Sequence, residues 1–154
     1  MRTQLAIAAT LAAFAAGCAP GMDDELKGLV DGVAPTDAQM LGCDWAKTWG
    51  NESGAYYRCV YVAPGRLRRV GTGVLTDIAA QGFTVTCRTD RTTVELTGAR
   101  DGAMMYADVL APGFVHGRNL TASDIAVPRG SVVVELVATN EDAGVQPGRL
   151  CAVA

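Results

Sequence analysis

RLRRVGTGVLTDIAAQGFTVTC, residues Arg66 to Cys87, decides the fold, because within it a helical period hands over to a strand period. Leu67, Val70, Val74, Leu75 and Ile78 recur at the spacing of one helix face, and Gly82 stands where a helix stop belongs. Phe83, Val85 and Cys87 then alternate with Thr84 and Thr86, the period of a half-buried strand. A helix followed at once by such a strand implies a helix laid on a sheet. Gly71 and Gly73 weaken the expectation of an unbroken helix. The G-T-G they frame is no nucleotide fingerprint, since the third glycine, the preceding strand and the acidic partner are not all present. Arg66, Arg68 and Arg69 open the helix with positive charge against its dipole, an arrangement suited to anion or phospholipid-headgroup contact, or simply to a solvated face.

Outward from this stretch the strands can be counted. Gln39–Ala46 and Ala55–Val62 flank the glycine-bounded polar segment Trp49 to Gly54, and a hairpin centred on Asn51 sets Cys43 opposite Cys59, Trp45 opposite Tyr57 and Asp44 opposite Arg58. The same register sets Leu41 opposite Tyr61 and Met40 opposite Val62. A second hairpin turning at Asp90-Arg91 would place Cys87 opposite Val94, Val85 opposite Leu96, Thr86 opposite Glu95 and Arg88 opposite Thr93. Its faces would then be one against the helix and one toward water. Ala103–Leu110 reads as a further strand, and the apolar run Ser131–Thr139 as one buried in the middle of the sheet. The expected fold is therefore α+β: a single two-layer domain, one main helix on a mostly antiparallel sheet in the order ββαββββ, with two disulfides.

At 154 residues, 49% hydrophobic and 19% charged, the chain suits one core rather than two. A net charge of −3 lacks the basic excess of a nucleic-acid binder, so nucleic acid is excluded as a partner. Residues 1–17 read as a signal peptide, with Arg2 as the positive n-region and Leu5 to Ala16 as an apolar run shorter than the roughly 20 residues a bilayer-spanning helix needs.

Ala15-Ala16-Gly17-Cys18 resembles the bacterial lipobox, in which a small residue precedes a cysteine that is lipidated and becomes the first residue of the mature protein. Ala15 stands where the family usually has Leu, and the other reading is a plain signal peptide that leaves Cys18 a free or paired thiol. Five cysteines favour lipid: with Cys18 so used, Cys43, Cys59, Cys87 and Cys151 form an even set. The hairpin register chooses Cys43 with Cys59, which leaves Cys87 with Cys151. No C-x-x-C or His-rich spacing points to a metal, and no cofactor is expected.

Residues 18–35 carry the lipidated cysteine and then either a tether or a short helix over Asp23 to Val30, and the α+β domain proper is taken as 36–154. The Ala34-Pro35-Thr36-Asp37-Ala38 segment, the strand bearing Cys43 and the Gly82-Phe83 helix end look like those of small secreted lipoproteins of high-GC bacteria. That resemblance implies location in the cell envelope and no activity.

No catalytic constellation can be assembled, although Asp101, Asp108 and Asp124 supply carboxylates. The expected function is that of an exported, membrane-anchored, non-catalytic binding module with an envelope protein or surface ligand as partner. A secreted hydrolase inhibitor is the alternative and an enzyme the third reading. Candidate binding residues are Phe114, His116 and Arg118 in the long loop from Ala111 to Arg129, together with Trp49 and Tyr56 from an aromatic cluster that otherwise packs around the first disulfide.

Overall fold

The computed structural model describes residues 22–49, 52–113, 126–140 and 150–151. In chain order the elements are α1 (Met22–Asp31), β1 (Gln39–Trp49), β2 (Glu52–Pro64), α2 (Leu67–Ala80), β3 (Thr84–Thr89), β4 (Thr93–Arg100), β5 (Ala103–Leu110) and β6 (Ser131–Thr139). The six strands form one wholly antiparallel sheet in the order β1-β2-β6-β5-β4-β3. This is the expected α+β domain with the expected main helix α2. β6 lies where its strongly apolar run placed it, third of six strands.

α2 buries Val70, Val74, Leu75 and Ile78 and ends at Gln81, after which Gly82 takes φ +84°, a left-handed conformation that glycine adopts without steric cost. The helix is continuous through Gly71 and Gly73, because the first of these brings the backbone down onto Val94. Gly98 on β4 serves the same approach from below. A Cβ there would stand 2.8 Å from Ile78 Cγ2 and 3.2 Å from Phe83 Cβ, so the helix C-terminus could not sit as close to the sheet. Arg100 closes this corner, donating from Nη1 to the Gln81 carbonyl at 2.8 Å while its guanidinium lies 4.6 Å from the Phe83 ring centre.

The short helix, one of two readings for Asp23 to Val30, is present as α1. Its Leu26, Leu29 and Val30, with Val33 just beyond, join the same core as α2 and the sheet, and Lys27 pairs with Asp31 one turn on. Gln81 ties the two helices, donating from Nε2 to the Leu29 carbonyl at 3.1 Å.

The first hairpin keeps its expected centre: Cys43 faces Cys59, Asp44 faces Arg58 and Trp45 faces Tyr57. Toward its ends it departs. Met40 rather than Leu41 faces Tyr61, and Gln39 rather than Met40 faces Val62, because Leu41 is an extra residue on β1 beside Gly42. The strands also continue past the expected turn boundaries, to Trp49 facing Glu52.

In the second hairpin the register differs by two residues throughout. Cys87 faces Leu96, Val85 faces Gly98, Thr86 faces Thr97 and Arg88 faces Glu95. Asp90 is the cause. Its Oδ1 accepts from the backbone N–H groups of Thr92 at 2.7 Å and Thr93 at 2.8 Å and from the Thr92 hydroxyl at 3.0 Å, while its own N–H bonds the Thr93 carbonyl at 3.0 Å. The turn therefore falls on Arg91-Thr92, one residue later than its sequence suggested. A two-residue slip preserves the side of the sheet on which each side chain lies, so Val85, Cys87, Val94 and Leu96 still meet the helices.

The other side of the sheet is not simply open to water. Val60, Leu110 and Val133 form a second buried cluster with Val127 against it, and Val62, Met104 and Val137 are buried as well. Alternation fails in the central strands because both of their faces are covered; toward the β3 edge Thr84, Arg88 and Glu95 are exposed as expected, but Thr86 and Thr93, expected on the water side, are buried.

Both expected disulfides are present, Cys43–Cys59 with Cα atoms 4.1 Å apart and Cys87–Cys151 with Cα atoms 5.5 Å apart. The second holds Leu150 and Cys151 along the free edge of β3, where the Cys151 N–H bonds the Val85 carbonyl at 3.1 Å and Leu150 bridges Thr86. The bridges span sequence separations of 16 and 64 residues, for which the chain-entropy model gives about 3 and about 4 kcal/mol. Replacing Cys87 and Cys151 by serine should therefore lower the denaturant midpoint more than the same replacement of Cys43 and Cys59. Equilibrium unfolding of the two double variants measures the difference.

Candidate binding surfaces

Of the residues singled out from sequence, Phe114, His116 and Arg118, and with them Asp124, lie outside the described residues. Trp49 ends β1 opposite Glu52, and its side chain is likewise outside the description. Tyr56 is half-buried on β2, on the side of the sheet away from the helices, and faces Ala46 and Thr139. Tyr57 and Tyr61 instead pack against the main core beside Cys59, and Trp45 opposite Tyr57 stays 38% exposed because β1 is an edge strand. The structure thus divides the aromatic cluster between the two faces of the sheet. Burial raises the Tyr61 hydroxyl pKa above its ordinary value, with the Asp31 carboxylate adding to the shift.

On the face away from the helices a charge cluster gathers around Arg58. Its Nε donates to Glu135 Oε1 at 2.5 Å and its Nη1 to Asp44 Oδ2 at 3.3 Å. The Arg58 side chain is 8% exposed and that of Glu135 12%, while Asp44 on the edge strand is 54% exposed. Nη2 of Arg58 is buried with no hydrogen-bond partner among the described residues. The Asp44–Arg58 half of this cluster was legible in the hairpin register. Glu135 was not, since it belongs to β6, which reaches β2 only through the sheet order. Asp108 on β5 lies directly opposite Glu135, while Asp101 is exposed in the β4–β5 turn.

At one end of the sheet five of the described arginines collect. The pairs Pro64–Ser131, Leu110–Val133, Thr93–Leu110 and Thr89–Val94 place the last residues of β2, β3 and β5 beside the first residues of β4 and β6. Arg66, Arg68 and Arg69 enter from the start of α2, Arg91 from the β3–β4 turn and Arg129 from the segment before β6, where the Gly65 N–H bonds the Gly130 carbonyl at 2.7 Å. All five are exposed, and none is ion-paired among the described residues. α2 has neither a side-chain cap nor an acidic residue in its first turn. The Asp90 carboxylate at the same end is committed to the backbone donors of its own turn. Those bonds, from Thr92 first, hold its pKa below the ordinary value of 3.8.

Two clefts flank α2. One, of about 350 Å³, lies between the helix and β3–β4, with Arg68, Thr72 and Thr89 among its polar lining and Leu75, Val94 and Leu96 among its apolar lining. The other, of about 530 Å³, lies between the helix, the end of β2 and the segment leading into β1, and Arg69 shares it with Asp37 and Asp77. Among the described residues no group of His, Cys, Asp and Glu is arranged to hold a metal ion. No family model, curated protein or solved structure matches this chain.

Truncating Arg58 to alanine leaves Glu135 buried without its cation and should destabilise the fold by about 3–5 kcal/mol. Arg58→Met combined with Glu135→Gln should recover much of that loss. Chemical denaturation of the two variants checks both.

A folded-state pKa below the unfolded one makes Asp90 stabilising where its carboxylate is charged in both states, and that contribution disappears as pH falls through the folded value. The difference in melting temperature between the protein and Asp90→Ala should accordingly be full at neutral pH and shrink below the ordinary value of 3.8, as a pH series of thermal melts would show.

Proposed function

We propose that the chain is an exported, lipid-anchored protein of the bacterial cell envelope whose disulfide-bonded domain is a non-catalytic binding module. The observation that carries this reading is the cysteine pairing. Cys43, Cys59, Cys87 and Cys151 are bonded to one another, which leaves Cys18, at the end of the lipobox-like segment, as the fifth cysteine without a cysteine partner. Two structural disulfides suit an oxidising compartment, and an odd exported cysteine calls for its own chemistry. Thioether linkage to diacylglycerol at Cys18 supplies it.

Among the described residues no helix is long and apolar enough to cross a membrane. A single acyl chain holds a protein to a bilayer only marginally, and the several chains of a bacterial lipoprotein give a stable anchor. Binding is supported by the arginine-rich end and the clefts beside α2. They offer concave surfaces with polar and charged groups at the rim.

Intact-mass analysis and detergent partitioning of the protein from its own host test the anchor. The expected mature species begins at Cys18, carries the mass of diacylglycerol and enters the detergent phase. A species that begins elsewhere and carries no lipid overturns the reading.

A further inference from the structure

Five exposed arginines share one end of a protein whose net charge is negative, and three of them oppose the dipole of the helix on which, or next to which, they lie. Mutual repulsion and the dipole both work against this placement, and both are relieved by an anion. Of the two clefts at this end, the one beside Asp37 and Asp77 already contains carboxylates, while the one lined by Arg68 has none in its lining. The Arg68 cleft also has apolar side chains, as Val70 and Val74 give the other: Leu75 from α2 and Val94 and Leu96 from β4 share its lining with Thr72, Thr89 and Arg68. Arg91 stands exposed in the β3–β4 turn, two residues beyond Thr89 of the cleft lining.

Resting on the binding-module reading, we infer that the cleft between α2 and the β3–β4 hairpin docks an acidic polypeptide segment of a partner protein. One apolar side chain of that segment enters between Leu75, Val94 and Leu96, and flanking carboxylates pair with Arg68 and Arg91. Guanidinium groups match carboxylates as two-pronged donors, which fixes the orientation of such a segment as well as attracting it. The shape of the site favours a polypeptide over the anionic headgroups of a bilayer. A planar array of headgroups meets projecting cations but does not fill a recess of about 350 Å³ lined in part by Leu75, Val94 and Leu96, whereas a projecting side chain does.

The test is fluorescence anisotropy on the full exported protein in detergent with a labelled alternating Glu-Leu peptide. The peptide should bind, an alternating Glu-Ser peptide should bind about tenfold more weakly, and Arg68→Gln with Arg91→Gln should weaken the Glu-Leu peptide by a similar factor at an unchanged melting temperature. Arg68→Lys with Arg91→Lys should bind more tightly than the glutamine variant but more weakly than the unaltered protein, since lysine keeps the charge and loses the two-pronged geometry, and Lys27→Gln, on α1, should leave binding unchanged. The inference is overturned if the Glu-Leu peptide does not bind, if Glu-Ser binds equally well, or if the glutamine variant binds as before. Displacement of the peptide by soluble short-chain phosphatidylglycerol as readily as by excess unlabelled peptide also overturns it and assigns the surface to lipid. None of these outcomes bears on the mass of the Cys18 anchor, so the two readings fail separately.

Discussion

β6 is the constraint on which the rest of the structure depends. It is hydrogen-bonded on one side to β2 along its full length and on the other to β5, and it is the last of the described strands in chain order. Until it inserts, the β1–β2 hairpin and the β3–β4–β5 meander are separate units, each with an unpaired edge. Val132, Val134, Leu136 and Ala138 then meet the helices while Val133 and Val137 are buried on the opposite face, so one strand seals both sides of the sheet. Joining distant parts of the chain this way gives the domain a non-local topology, of the kind that folds slowly relative to its stability.

A sheet built around such a strand still has two edges, and each disulfide secures one of them. Cys43–Cys59 binds edge strand β1 to β2, and Cys87–Cys151 holds residues 150–151 against edge strand β3. Open edges invite pairing with other chains, and a covalent staple with a segment laid alongside reduces that exposure. β1 has the weaker cover: Met40, Leu41 and Trp45 on it remain exposed, and the extra residue at Leu41 interrupts the regular ladder that another strand would extend.

Charge is placed unevenly, and burial decides what each placement does. Around Arg58 the cation and Glu135 are both withdrawn from water, so the cluster is costly to disturb and fixes which strands adjoin. It is not thereby a source of net stability, because desolvation offsets most of the attraction. The arginines around the start of α2 are solvated and contribute little to folding. Buried charge here specifies the fold, and exposed charge specifies the surface.

Local physics made much of this legible in the sequence. The 3.6 and 2.0 periods of Arg66 to Cys87 determined α2 and β3, the glycine at position 82 determined where one gives way to the other, and opposed residues in the first hairpin determined the Cys43–Cys59 bridge and, by elimination, Cys87–Cys151. Tertiary structure alone decided what depends on chain segments far apart. The carboxylate of Asp90 captured two backbone donors and moved the second hairpin by two residues, a choice between turns of similar propensity that no period reveals. Insertion of β6 between β2 and β5 brought Glu135 to Arg58, and cover on both sides of the central strands buried Val62, Met104 and Val137 where alternation alone implied water. The cleft beneath Arg68 exists because α2 crosses the β3–β4 hairpin there, with Gly71 down against Val94, and the distance between a helix and the sheet under it is set by packing rather than by the pattern of either element.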